Sequence, residues 1–138
     1  MEVEAAGSGG ILDLSHYFII SMLNSKNILD ELSHRFPDFE IYPEAERLHT
    51  VVFSFFVSYL NSAFKKNDQL IIKKASGFIN EMCDSKDHTV EACIDEIILG
   101  FYTDPEMPYE FLKETLSREA QIRFEQTTIL WDRRKLIE

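Results

Sequence analysis

The chain is short of cysteine, of positive charge and of apolar runs long enough to cross a membrane. Its 138 residues include two cysteines, Cys83 and Cys93, too few for the disulfide framework of a small secreted domain. The 14 Lys and Arg residues are outnumbered by 24 Asp and Glu, which gives a net charge of −10. Because phosphates and anionic lipid surfaces both attract clustered cations, this balance argues against a nucleic-acid partner and against membrane adsorption.

The N-terminal sequence MEVEAAGSGG lacks the positive charge and the apolar stretch of a secretory signal. A chain of this length is typical of one domain. We therefore predict a flexible lead over residues 1–10, a single helical domain over residues 11–138 and a cytoplasmic location.

The most apolar stretch is VVFSFFVSYLNSAF, residues 51–64. A bilayer span needs about 20 apolar residues, whereas this run is shorter, contains Asn61 and Ser62, and is followed by two lysines. From Leu48 onward, its apolar residues recur at alternating intervals of three and four, the period of a helix. We predict a central core helix over residues 48–64. A strip of small polar residues would let another helix approach closely: Ser54, Ser58, Asn61 and Ser62.

The apolar pattern predicts further helices on both sides of this one. The next helix should span about residues 69–83, after an N-cap at Asn67 or Asp68, and Gly77 within it would mark close packing. Another helix should follow Asp87, a good N-cap, and extend to Phe101.

The predicted helices at the two ends of the chain complete an all-α fold. A helical stretch begins near Tyr109, and Ser117 could cap a second helix within it. The segments LDLSHYFIISML and NILDELSHRF also have helical periodicity. Short connections favour a compact bundle of five to seven antiparallel helices, with a stack of HEAT-like helix pairs as the alternative.

Sequence motifs of catalysis and metal binding are missing. Cys83, His88 and Cys93 are spaced C-x4-H-x4-C, which fits no standard zinc site. Glu31 and His34 provide one Glu-x-x-His pair where a di-iron bundle needs two. The chain has no G-x-S-x-G, Walker or G-x-G-x-x-G motif, so we predict no enzyme, no cofactor and no metal.

Negative charge is concentrated in residues 80–110, where nine acids face one lysine. Such charge either maintains solubility and caps helices, or attracts a basic protein partner. The predicted partner-binding residues are Glu81, Asp84, Asp87, Glu91, Asp95, Glu96, Asp104, Tyr102 and Tyr109.

The sequence also allows a different mode of partner binding and leaves the oligomeric state open. A helical adaptor would instead bind a peptide or helix through exposed aromatic residues, for which Phe101, Tyr102 and Tyr109 are the candidates. The basic tail WDRRKLIE could pair with the acidic segment within one chain or in a homodimer, so we predict a monomer or a homodimer.

Three segments carry a resemblance that covers residues 48–126: HTVVFSFFVSYL, FINEMCDSKDHTVEACIDEIILGFY and FLKETLSREAQIRFEQ. They resemble small bacterial helical domains that include the immunity proteins of toxin systems. It implies a protein that binds and neutralises a toxin domain without catalysis. It assigns no role to any single residue.

Overall fold

The computed structural model of the chain describes residues 22–43 and 48–137. These residues form six helices and no strand, packed as a compact bundle, which confirms the predicted all-α fold. The helices are α1 (Ile28–Arg35), α2 (His49–Lys65), α3 (Gln69–Asp84), α4 (His88–Tyr102), α5 (Tyr109–Glu114) and α6 (Arg118–Ile137). The predicted lead over residues 1–10 and most of the segment LDLSHYFIISML lie outside the described residues.

Helix α2 is the central core helix, as predicted. Its Phe53 and Phe56 are fully buried. Phe56 packs edge-to-face on Phe36, with ring centroids 5.0 Å apart, and on Phe78, with centroids 6.4 Å apart. Within residues 22–43 and 48–137, no helix is both long and apolar enough to cross a membrane.

The predicted apolar stripe of α2 was too wide, and its polar strip was misplaced. Leu48 and Phe55 were assigned to the buried stripe, but they are 56% and 50% exposed. Ser54, Ser58 and Ser62 face solvent, so the strip of small residues does not receive another helix within the described part of the chain.

The close approach between helices occurs at Gly100 of α4. A Cβ atom added there would lie 3.1 Å from both γ-methyl groups of Val57 on α2. Gly77 was predicted to mark such a contact, but nothing lies within 4 Å of a Cβ placed on it. The prediction for Gly77 was wrong because this residue lies on the exposed side of α3.

Polar residues end and begin the helices where the sequence predicted. Asn67 adopts φ 54°, which ends α2, and the Asp68 side chain accepts a hydrogen bond from the Ile71 N–H at 3.2 Å to cap α3. The Ser117 hydroxyl accepts from the Ala120 N–H at 3.2 Å. This cap begins α6, so the predicted division of the last helical stretch at Ser117 is confirmed.

Helix α4 packs between α2 and α6. Ser25 lies beside the first residues of both α2 and α4: its carbonyl is 3.0 Å from His49 Nε2, and its N–H donates to Asp87. These two helices therefore begin at the same end of the bundle, and α3, which connects them, runs in the opposite direction and packs against both. Helix α6 runs along the other side of α4, where Arg123 meets Asp95 and Asp132 meets Tyr102.

Candidate protein-binding surface

One of the predicted acidic residues, Asp104, lies at the opposite end of α4 from Asp87. This helix has 15 residues and is therefore about 22 Å long. Asp87 precedes its first residue, whereas Asp104 follows its last one in the proline loop. There the Asp104 carboxylate accepts a hydrogen bond from the Glu106 N–H at 2.9 Å and shapes the turn. Asp104 is thus separated from the other predicted partner-binding acids.

Asp87 is the N-cap of α4, as its position in the sequence predicted. Its Oδ1 atom accepts from the backbone N–H groups of Thr89 at 2.8 Å and Val90 at 3.3 Å. Its Oδ2 atom accepts from the N–H of Ser25 at 3.0 Å, which fastens the chain ahead of α1 to this helix. These hydrogen bonds, that from Ser25 above all, hold the pKa of Asp87 below its usual range.

Replacing Asp87 with alanine should lower the free energy of unfolding by about 1–2 kcal/mol at neutral pH, the usual cost of losing an N-cap. Because the folded protein lowers the pKa of this carboxyl, its contribution is present above the unfolded pKa of about 3.9 and is lost as the pH falls through the folded pKa. Urea denaturation at several pH values should therefore show the difference between wild type and variant shrinking in acid.

The matched control for this test is Asp84→Ala, which removes an exposed carboxylate only three residues earlier. Asp84 is the last residue of α3, and no hydrogen bond to its side chain is found within the described chain. We expect its replacement to change the stability by less than about 0.5 kcal/mol. A pH-independent difference for the Asp87 variant would contradict the assigned role of its charge.

Two other acids are paired with arginine residues of neighbouring helices. The carboxylate of Glu81 on α3 accepts hydrogen bonds from both terminal nitrogens of Arg35, at 2.6 and 2.9 Å. The carboxylate of Asp95 on α4 accepts a hydrogen bond from Nη2 of Arg123 on α6, at 2.6 Å. The first pair joins α1 to α3 and the second joins α4 to α6, so both acids have a structural role. The cation that meets Asp95 is Arg123 and not one of the tail residues.

Three of the predicted acids keep more of their charge available to a partner. Within residues 22–43 and 48–137, Asp84 and Glu96 have no Lys or Arg side chain at ion-pair distance. Glu91 Oε1 lies 3.3 Å from Nδ1 of His88, whose side chain is fully exposed. A basic partner could therefore reach these carboxylates without displacing an arginine.

A cleft of about 580 Å³ lies between α4 and α6, beside the only tryptophan of the chain. Its apolar surface comes from Leu99, Leu130 and Trp131, and its charged groups are the Asp95–Arg123 pair and Arg134. Gln126 and Thr127 complete the lining.

A second cleft of about 390 Å³ lies on the other side of Trp131, between α2 and α4. It shares Leu99 and Trp131 with the first cleft, and Glu96 stands at its edge. Gly100 and Ser54 leave this side open because they have little or no side chain. We call the two connected depressions the Trp131 cleft.

The aromatic residues predicted for an adaptor surface are mostly in the core. Phe101 is fully buried, and Tyr109 is 9% exposed and packs against Phe124 with ring centroids 6.1 Å apart. Tyr102 is half-buried, and its hydroxyl donates to Asp132 Oδ2 at 2.7 Å. The expectation that Phe101 and Tyr109 are exposed was wrong, because the end of α4 and the start of α5 fold inward onto α6.

Sequence reasoning missed the residues that line the cleft, above all Leu99, Leu130 and Trp131. The available signal was the single tryptophan in WDRRKLIE, a large apolar side chain beside a run of cations. Tryptophan is enriched in the centres of protein interfaces, where it provides a large contact area.

The two cysteines pack in the hydrophobic core or against it, and both are free thiols. Burial raises the pKa of the Cys83 thiol to about 11 and that of Cys93 to about 12. Both thiols are therefore protonated at neutral pH, which makes them poor nucleophiles and poor metal ligands. No group of three or more His, Cys, Asp or Glu side chains that could hold a metal ion is found in the described part of the chain.

The fold and the cleft define a compact, all-helical domain with an open, partly apolar surface depression. The chain belongs to the family described as "Domain of unknown function (DUF7674)", whose family model matches residues 26–132. The match includes all of α1–α5 and most of α6. No curated protein and no solved structure matches the chain. The resemblance to immunity proteins therefore stays a prediction.

Proposed function

We propose that this chain is a non-catalytic protein-binding domain that takes a basic amphipathic helix of a partner protein into the Trp131 cleft. The observation that carries this proposal is the combination of an apolar floor, formed by Leu99 and Trp131, with the carboxylate of Glu96 at its edge. Helix-in-groove recognition uses an apolar row for affinity and surrounding charges for orientation.

The partner chemistry follows from the groups that surround the cleft. Apolar side chains at helical spacing would contact Leu99, Leu130 and Trp131, while Lys or Arg residues would lie near Glu96. The net charge of −10 would also speed the approach of a basic partner through long-range attraction.

Neutralisation of a toxin domain is the particular form of this function that we propose from the resemblance to immunity proteins. A nuclease toxin presents cations to its substrate's phosphates, and these cations match the charge of the α4 surface. The adaptor alternative would use the same cleft but would leave its partner active. A partner captured from the native host should accordingly lose its activity when an equimolar amount of the domain is added; retained activity would favour the adaptor.

The cleft can be tested with defined peptides because Trp131 is the only tryptophan of the chain. We expect an amphipathic Leu/Lys helix of about five turns to change the Trp131 fluorescence in a saturable manner. A Leu/Glu helix of the same length should not. Glu96→Lys should raise the dissociation constant of the Leu/Lys peptide about tenfold, which corresponds to about 1.4 kcal/mol.

The matched control is Glu114→Lys, which makes the same charge change at an exposed position of α5 outside the cleft. It should bind the peptide as the wild type does. Equal weakening by both substitutions would show that only the net charge attracts the peptide. Binding detected by calorimetry without any change in Trp131 fluorescence would place the site away from the cleft. Either result would contradict the proposal.

A further inference from the structure

Helix α6 carries apolar residues on two opposite sides. Its inner side buries Ala120, Phe124 and Thr128, which are spaced by four residues and face the bundle. A helix turns by about 100° per residue, so a second set of aliphatic residues points in the opposite direction. We call this set the outer stripe: Ile122, Ile129, Leu136 and Ile137, with Leu130 at its edge beside the Trp131 cleft.

The outer stripe is exposed along its whole length. Ile122 is 38% exposed and Ile129 is 50% exposed, while Leu136 and Ile137 are each 87% exposed. Single exposed aliphatic residues are normal on protein surfaces. Repeats at intervals of seven, as in Ile122, Ile129 and Leu136, are instead typical of a helix that packs against another helix. No described helix covers this side of α6.

We infer that a second copy of this chain covers the outer stripe, with α6 packed against α6 in a symmetric homodimer. In a symmetric contact the same stripe is buried twice. Five aliphatic side chains at these exposures present about 550 Å² per copy; full burial in the pair would remove about 1,100 Å², which reaches the area of about 1,000 Å² that a specific interface should exceed. A second copy therefore provides a helix that can pack along Ile122, Ile129 and Leu136, and enough contact area for a specific interface.

The charges of α6 also favour a second copy at this surface. The helix has five cations, Arg118, Arg123, Arg133, Arg134 and Lys135, and three acids, Glu119, Glu125 and Asp132. It is thus slightly basic in a chain of net charge −10. Two copies of an acidic protein would repel each other most at the α4 surface and less at α6, where the charges are of both signs. The inference does not rest on the proposed function, but the two surfaces share Leu130.

Analytical ultracentrifugation of the full chain from about 1 to 500 µM tests the dimer over a range typical of weak to moderate association. We expect the wild type to sediment with twice the mass of one chain at the upper concentrations. The double variant Ile129→Lys/Leu136→Lys should sediment as a monomer, with its dimer dissociation constant raised by at least about tenfold. Circular dichroism should show unchanged helix content, because both side chains lie outside the core.

The matched control is Leu48→Lys/Leu70→Lys, which adds the same charge at two leucines that are 56% and 64% exposed elsewhere on the surface. This variant should dimerise as the wild type does. A wild type that is monomeric at every concentration would overturn the inference and would assign the outer stripe to another partner. Equal loss of association in both double variants would overturn it as well, because it would show that net charge alone controls association.

Discussion

Replacing Phe56 with alanine is expected to lower the free energy of unfolding by about 3–5 kcal/mol, the range observed for buried Phe→Ala substitutions. Phe56 is fully buried and lies at the centre of an aromatic cluster formed by α2, α3 and the chain after α1. Its ring contacts Phe36, Phe53 and Phe78, with centroids 5.0, 5.8 and 6.4 Å away. Removal of the ring would leave a cavity that its neighbours cannot close. Urea denaturation followed by circular dichroism measures the effect.

The adjacent residue provides the control for this prediction. Phe55→Ala removes the same side chain from the same helix, but Phe55 is 50% exposed. We expect a loss of about 1 kcal/mol or less, since surface substitutions have small effects. Losses of similar size for the two variants would contradict the assignment of Phe56 to the core centre, and with it the central place of α2.

Replacing Gly100 with leucine should destabilise the protein by about 1–2 kcal/mol, the strain of overpacking less the gain in helix propensity. A Cβ atom at this position already lies 3.1 Å from two carbons of Val57, which is closer than ordinary van der Waals contact, so Val57 or α4 must shift to admit a side chain. Overpacking of this kind typically costs about 1–3 kcal/mol, and the extensive packing of α4 on α2 puts the strain at the upper end. The gain in helix propensity over glycine, about 1 kcal/mol, offsets only part of the strain.

Gly77→Leu is the matched control, because it makes the same replacement inside a neighbouring helix. Nothing lies within 4 Å of a Cβ at Gly77. The variant should therefore gain about 0.5–1 kcal/mol from helix propensity alone. Thermal denaturation of the two variants should show shifts of opposite sign. A stabilised Gly100 variant would mean that α2 and α4 can separate at little cost.

The features that depend on neighbouring residues in sequence were predicted well. Asp68, Asp87 and Ser117 were recognised as caps because a helix N-terminus needs a side-chain acceptor within three residues. The helix of residues 48–64 was recognised because its apolar period spans several turns. Both signals are local, so the position of the rest of the chain hardly affects them.

The candidate site depended on distant residues and was predicted poorly. The nine selected positions included Glu81 and Asp95, whose charges are balanced by Arg35 and Arg123, respectively. Neither arginine could be assigned from the sequence, since Arg35 lies 46 residues from Glu81 and Arg123 lies 28 residues from Asp95. The Trp131 cleft was likewise hidden, because it joins side chains of α2, α4 and α6.

By itself, the sequence determined that this protein is a helical bundle with an acidic surface. It also determined where most of the helices begin and end, and which helix lies at the centre. The apolar period and the capping residues define a helix within a few turns of the chain, and composition sets the net charge, so neither depends on how the helices pack. Only the tertiary structure decided which glycine lets two helices touch, which acids meet an arginine, and which apolar residues remain exposed beside Trp131 and along α6. Those outcomes depend on the angles at which the helices pack, and packing is set by the whole core rather than by any one segment.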